Sequence, residues 1–179
     1  MENGDAAEIA IIGNEGAVGV PLFMGGESTQ SRVVVQNGGY AYRLKAQMLK
    51  QAFNTRESLQ RLLLRFASVL MTQMAQMAAC SRHHSVEQQV CRWILLSLDR
   101  SPSNLISVTQ KRSGNMLDLS NAQVAAATAV LEKANLIRYE HGQITVLDRA
   151  GIERRSCACY SVVKTETDHL LQLAVPELT

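Results

Sequence analysis

Apolar and polar positions change their period several times along this chain. Residues 7–12, 16–23, 32–36 and 41–44 are short apolar or β-branched runs, separated by Gly13, Gly16, Gly19, Gly25-Gly26 and Gly38-Gly39. Runs of that length between glycine turns predict strands of a small antiparallel β unit. Residues 45–53 predict a short helix. Asn54-Thr55 then offers an N-cap, and residues 56–80 contain neither Gly nor Pro. Within them Leu59, Leu63, Phe66, Leu70, Gln73, Met77 and Cys80 fall alternately four and three apart, a heptad seam over roughly three repeats. Arg56, Arg61 and Arg65 lie off it.

Two readings of the seam are open. An amphipathic helix can pack on its own β unit, or two copies can pair through a dimer helix with Gln73 as a polar seam position. The seam is long for one helix on so small a unit, which favours the dimer. Leu59, Leu63, Phe66, Leu70 and Met77 are therefore candidate dimerisation residues.

Ser85 caps a further helix with an apolar stripe at Val90, Trp93, Ile94 and Leu98. Residues 100–104 (RSPSN) form a polar linker. Residues 108–148 then show a third pattern. A short helical segment ends in a turn at Leu117-Asp118-Leu119, and a Ser120-Asn121 cap opens an apolar-periodic helix. A Gly-centred hairpin follows at Glu140-His141-Gly142-Gln143. The order is helix, turn, helix, wing, whose usual use is to place the second helix in the major groove of DNA. Beyond Tyr160 the sequence is partly helical at best.

Composition narrows the partner. Hydrophobic residues make up 46%, enough for a packed core, and the formal net charge is only +2. Between Ser101 and Arg155 seven Lys/Arg face five Asp/Glu, an excess of two, so any attraction for nucleic acid is local. No unbroken apolar run spans a bilayer, and the start MENGDAAEIAIIG lacks the basic and apolar regions of a signal peptide. The expectation is a cytoplasmic protein without membrane contact, with its four cysteines, Cys80, Cys91, Cys157 and Cys159, reduced.

The spacing of Cys80, His83, His84 and Cys91 fits no structural zinc pattern. Cys157-Ala158-Cys159 lies close to Arg154-Arg155, a setting that lowers thiol pKa values. An inert pair is the simpler reading, so no metal and no cofactor are expected. No nucleophile constellation, P-loop or dinucleotide motif is present, and no enzyme is expected.

With these residues in view, the chain resembles the Crp/Fnr transcription regulators of bacteria, in which a cyclic-nucleotide-binding β-roll, a long dimer helix and a winged helix-turn-helix follow in that order. VEQQVCRWILLSLDR, the gapless segment 108–147 and DRAGIERRSCACY carry the resemblance. It implies an α+β fold with a partial antiparallel β-roll at 1–54, a dimerisation helix at 55–84, a DNA-binding domain at 85–160 and a tail at 161–179. The family has further strands before the segment matching GDAAEIAIIGNEGAVG. Met1 thus reads as a mis-assigned start or a truncated protein, and a half-roll would expose apolar surface.

In the family a Glu contacts the ribose and an Arg neutralises the cyclic phosphate. Here Ala17 stands at the Glu position, Ser28-Thr29 or Thr29-Gln30 near the Arg position, and Arg32 comes late. The resemblance therefore implies no response to cyclic AMP. On the recognition helix the family's Arg, Glu and second Arg are matched by Asn121, Ala122 and Ala126. Each lost bidentate contact removes about 1–3 kcal/mol of base discrimination. Thr109, Gln110 and Ser120 match backbone contacts, Lys111 and Arg112 add charge, and Arg138 and His141 lie in the wing. Asn121 pairs with adenine or serves only as a cap, and Gln123 meets a base or a phosphate; these alternatives stay open.

The implied function is a homodimeric regulator binding double-stranded DNA. The alternative is a truncated interaction protein that has lost specific DNA reading and heterodimerises with a full-length relative.

Overall fold

The chain is described by a computed structural model covering residues 8–29, 31–107 and 119–174, with residues 173 and 174 described by their backbone only. Six helices and one small sheet are formed among the described residues. They are α1 (Ala46–Thr55), α2 (Glu57–His83), α3 (Val86–Leu98), α4 (Asn121–Lys133), α5 (Arg149–Arg155) and α6 (Ala158–Ala174), with β1 (Leu105–Ser107), β2 (Ile137–Glu140) and β3 (Gln143–Val146). The sheet is antiparallel in the order β1-β3-β2, with Ile106 opposite Ile144 and Ile137 opposite Val146. The α+β class expected from the sequence is the observed one.

Local chemistry explains the helix starts. Ser85 accepts from the Gln88 amide (3.3 Å) while the Gln88 side chain accepts from the Ser85 amide (3.0 Å). This reciprocal box satisfies two donors that a helix start leaves open. It launches α3 into the centre of the molecule. Every residue from Gln89 to Ser97 is buried, so α3 is a core helix covered well beyond its apolar stripe. Ile106, Leu131, Ile137, Ile152 and Val163 close around its Ile94, Leu95 and Leu96 in one core.

The N-terminal strands are a correction. Among the described residues no strand forms before Leu105; residues 8–45 hold turns, extended chain and a 3₁₀ turn at Val20–Leu22. A strand exists only with a ladder partner, and none of the expected segments aligns with another. Their apolar residues use helices as partners instead. Ile11 joins the α3 core, and Phe23 packs on Leu63 and Ala67 with its ring 5.5 Å from that of Phe53. Val33, Val34 and Val35, with Tyr40 and Tyr42, stay exposed.

Two polar ties fasten this segment down. Gln73 donates to the Ile11 carbonyl (3.3 Å), and Arg100 meets Glu15 at 2.7 Å with both side chains buried. Asn54-Thr55 also departs from expectation. These residues end α1, the Thr55 hydroxyl bonding back to the Gln51 carbonyl, and α2 starts without a side-chain cap.

The seam of α2 is buried, but by its own chain. Leu63, Phe66, Gln73 and Cys80 are buried, and Leu59, Leu70 and Met77 half-buried. Phe66 and Val69 meet Leu170 of α6, which runs along α2. Of the two readings of the seam, packing within its own chain is the one observed for Leu63, Phe66, Gln73 and Cys80. The tail is more helical than expected, since α6 is continuous to Ala174 and buries Tyr160, Val163 and Leu170. A second stripe of α2 stays exposed: Leu64, Ser68, Met71, Ala75 and Ala78, again alternately four and three apart. With both stripes α2 is long and apolar enough, by length and composition alone, to cross a membrane, although no single run is.

Candidate nucleic-acid interface

The candidate interface is built on α4. Ser120 is its N-cap, accepting from the Gln123 amide at 3.2 Å, while the Gln123 carboxamide oxygen accepts from the Ser120 amide and hydroxyl, both at 2.9 Å. The cap is thus Ser120 and not Asn121, which stands exposed in the first turn. Gln123 has its oxygen engaged and only its amide hydrogens to offer. Ala127, Thr128 and Leu131 root the helix in the core, and the Thr128 hydroxyl bonds back to the Val124 carbonyl at 2.8 Å. The outward face is Asn121, Ala122, Gln123, Ala125, Ala126 and Ala129.

Ser120→Ala should cost about 0.5–2 kcal/mol through the lost cap. Thermal unfolding checks this, and Asn121→Ala should move the midpoint far less.

Beside α4 stands the wing. β2 and β3 turn through His141 and Gly142, both at positive φ (50° and 77°), between the facing pair Glu140 and Gln143. Two consecutive positive φ values make a two-residue turn matching the strand twist. His141 is at the exposed tip. Arg138 also points outward, 3.9 Å from Glu140 with both side chains mostly exposed, a pair of little energetic weight that a phosphate can displace. Thr109, Gln110, Lys111 and Arg112 lie outside the described residues.

The winged domain is braced from behind. Arg149 donates to Asp99 (2.5 Å) and to the Tyr160 hydroxyl (2.7 Å), and Tyr160 donates to Asp99 (3.0 Å). Burial pushes the Tyr160 phenol upward and the neighbouring Asp99 carboxylate adds to the shift, so the hydroxyl stays protonated as a donor. Asp148 caps α5 through the Gly151 amide (2.9 Å). A Cβ on Gly151 would run into Leu136 and the Asp148 carboxylate, so the glycine belongs to the α5 packing.

The cysteines are placed differently from the sequence expectation. Cys91 lies in the α3 core, whereas Cys80, Cys157 and Cys159 form a cluster of their own. His84, at the end of α2, completes it, and His83 is exposed. One polar atom from each of the four residues lies within 4.8 Å of the others. The Cys80 and Cys157 sulfurs are 3.5 Å apart, and the Cys159 sulfur is 3.6 Å from His84 Nδ1.

Burial pushes the Cys80 thiol up to about 12 and raises Cys159 as well. At Cys159 burial outweighs the lowering expected from Arg154-Arg155. Those side chains turn to Asp148 (3.7 Å) and Glu87 (2.8 Å).

Capped helix, three-stranded sheet and two-residue wing together form a winged-helix arrangement among the described residues. Residues 88–155 match the family of Crp-like helix-turn-helix domains. The chain thus carries a Crp-like helix-turn-helix domain, and the part of it that superposes on solved regulators shares their fold. Its structure is similar to FixK2 from Bradyrhizobium japonicum, with a TM-score of 0.58 and 15% identity, over 64% of this chain and 60% of that one. A transcriptional regulator of the CRP family from Thermus thermophilus superposes with a TM-score of 0.50 and 17% identity, over 60% of this chain and 57% of that one. The chain spans about 60% of the length of the first of these structures. A search of curated protein sequences returned no match.

Proposed function

We propose that the chain is a cytoplasmic, homodimeric transcription regulator that binds double-stranded DNA with weak base discrimination and does not respond to cyclic AMP. The observation that carries this reading is α4, rooted in the core and outward-facing beside a two-residue wing. Asn121 can read an adenine edge, while Ala122, Ala125 and Ala126 offer methyl groups suited to thymine. Phosphate contacts fall to Lys111 and Arg112, with Arg138 and His141 from the wing. Independence of cyclic AMP is supported by residues 16–36. They form no strand among those described, Ala17 brings no carboxylate, and Arg32 is exposed.

The dimer surface in this proposal is the exposed α2 stripe, since the Leu59–Cys80 seam is occupied within the chain. Small residues at Ser68, Ala75 and Ala78 let two helices approach closely around Leu64 and Met71. Domain limits close to 55–84 for the long helix and 85–160 for the winged domain fit this arrangement.

Selection of bound sequences from random duplexes tests the reading. An enriched palindrome supports the regulator. Lys111→Ala with Arg112→Ala should weaken binding to all duplexes alike and flatten the salt dependence, and Asn121→Ala should act at particular base pairs, within about 1–3 kcal/mol. A dimer that binds without enrichment favours the second reading, an interaction protein pairing with a longer relative. The alanine face of α4 is what speaks for that alternative.

A further inference from the structure

The cluster at the foot of α2 lies away from the nucleic-acid interface and has no part in the function above. We propose that Cys80, His84, Cys157 and Cys159 form a closed tetrahedral zinc site that staples α2 to the α5–α6 junction.

Geometry is the first argument. Zinc bound at about 2.3 Å to sulfur and about 2.0–2.1 Å to nitrogen sets ligand atoms roughly 3.5–3.8 Å apart along the edges of a tetrahedron. Two of the separations are 3.5 Å, between Cys80 and Cys157, and 3.6 Å, between Cys159 and His84 Nδ1. All four atoms fall within 4.8 Å of one another, so a small contraction closes the cage. Three thiolates and one imidazole are a usual structural zinc set. The spacing is of a split kind. Cys80 and His84 stand one helical turn apart at the end of α2, and Cys157 and Cys159 bracket the first residue of α6. No single stretch of sequence carries the pattern.

Charge is the second and independent argument. Arg92 is only 1% exposed, and its Nε and Nη1 find no partner among the described residues. Its Nη2 donates to the Met77 sulfur at 2.8 Å, one turn before Cys80. A buried unpaired guanidinium is costly. Glu8 feels Arg92, but burial pushes its carboxyl up to about 7, so it balances only part of that charge. Zinc with three thiolates and a neutral imidazole carries one net negative charge, which Arg92 offsets. On binding, the three thiols lose their protons to solvent, and His84 coordinates through Nδ1. The partly exposed His84 ring gives the ion its way in.

The full-length chain, purified under reducing conditions, should contain one zinc per chain by elemental analysis. Cobalt(II) exchanged into it should show the intense visible bands of a tetrahedral site and a thiolate-to-cobalt charge-transfer band. Cys159→Ser should lose the metal, Cys91→Ser should keep it, and His84→Ala should give its zinc up to a chelator that leaves the unmodified chain loaded. Should the cysteine variant fail to fold, the metal content and cobalt spectrum of the unmodified chain still decide. Metal-free protein with a weak octahedral cobalt spectrum overturns the proposal. So does a metal-free chain in which Cys80 and Cys157 are joined as a disulfide.

Discussion

Arg100→Ala is expected to lower the unfolding free energy by about 3–5 kcal/mol, the cost of breaking a buried ion pair by removing one partner. The Arg100 Nε meets Glu15 Oε1 at 2.7 Å, and the two side chains are 7% and 5% exposed. Arg100 also donates to the Leu96 carbonyl at the end of α3 (3.1 Å). Truncation leaves the Glu15 carboxylate without water and without its cation. Glu15→Ala with Arg100→Ala together should cost less than the sum of the single changes, because the second change removes the stranded charge. Urea unfolding at constant m reads the effect. A loss of under about 1 kcal/mol would mean that the pair is solvated like an ordinary surface bridge.

If the proposed dimer pairs through the exposed α2 stripe, replacing Leu64 and Met71 by Asp should turn it into monomers. Both side chains are about half exposed in the single chain, at 47% and 56%. In a paired helix they would be covered, and charges there would weaken association by about a thousandfold or more, roughly 4 kcal/mol. Sedimentation at micromolar concentration reads the change. Leu63→Asp is the informative contrast. Leu63 is packed on Phe23 and Ala67, so this change should destabilise the monomer instead of dissociating it. If the unmodified chain sediments as a monomer, the α2 stripe is not its dimer surface.

The parts of this fold that a reader of the sequence can see are those whose causes are local. Ser85 and Ser120, each followed three residues later by Gln, announce α3 and α4, and the boxes form as written. His141-Gly142 announces the wing turn. What escaped depends on residues far away. A heptad stripe says that one side of α2 will be covered but not by whom, and the cover proved to be α6 and the N-terminal segment.

The period of α6 was blurred by Thr167. It sits in the stripe of Tyr160, Val163 and Leu170 and spends its hydroxyl on the Val163 carbonyl (2.8 Å). The apolar runs before residue 45 looked like strands because strand composition is legible, whereas the presence of a pairing edge is not. The thiol cluster was invisible because its halves come from two distant helices.

The alanine face of α4 has a consequence for how such a chain changes over time. Alanine has the highest intrinsic helix propensity, so the outward turns keep their shape without relying on outer side chains. Ala122, Ala125, Ala126 and Ala129 therefore form a chemically blank reading head held by Ala127, Thr128 and Leu131. Under the proposed DNA-binding role, substituting any one of the four alters what the helix says to DNA while leaving its root untouched. Selectivity for an operator is then open to stepwise acquisition, one side chain at a time.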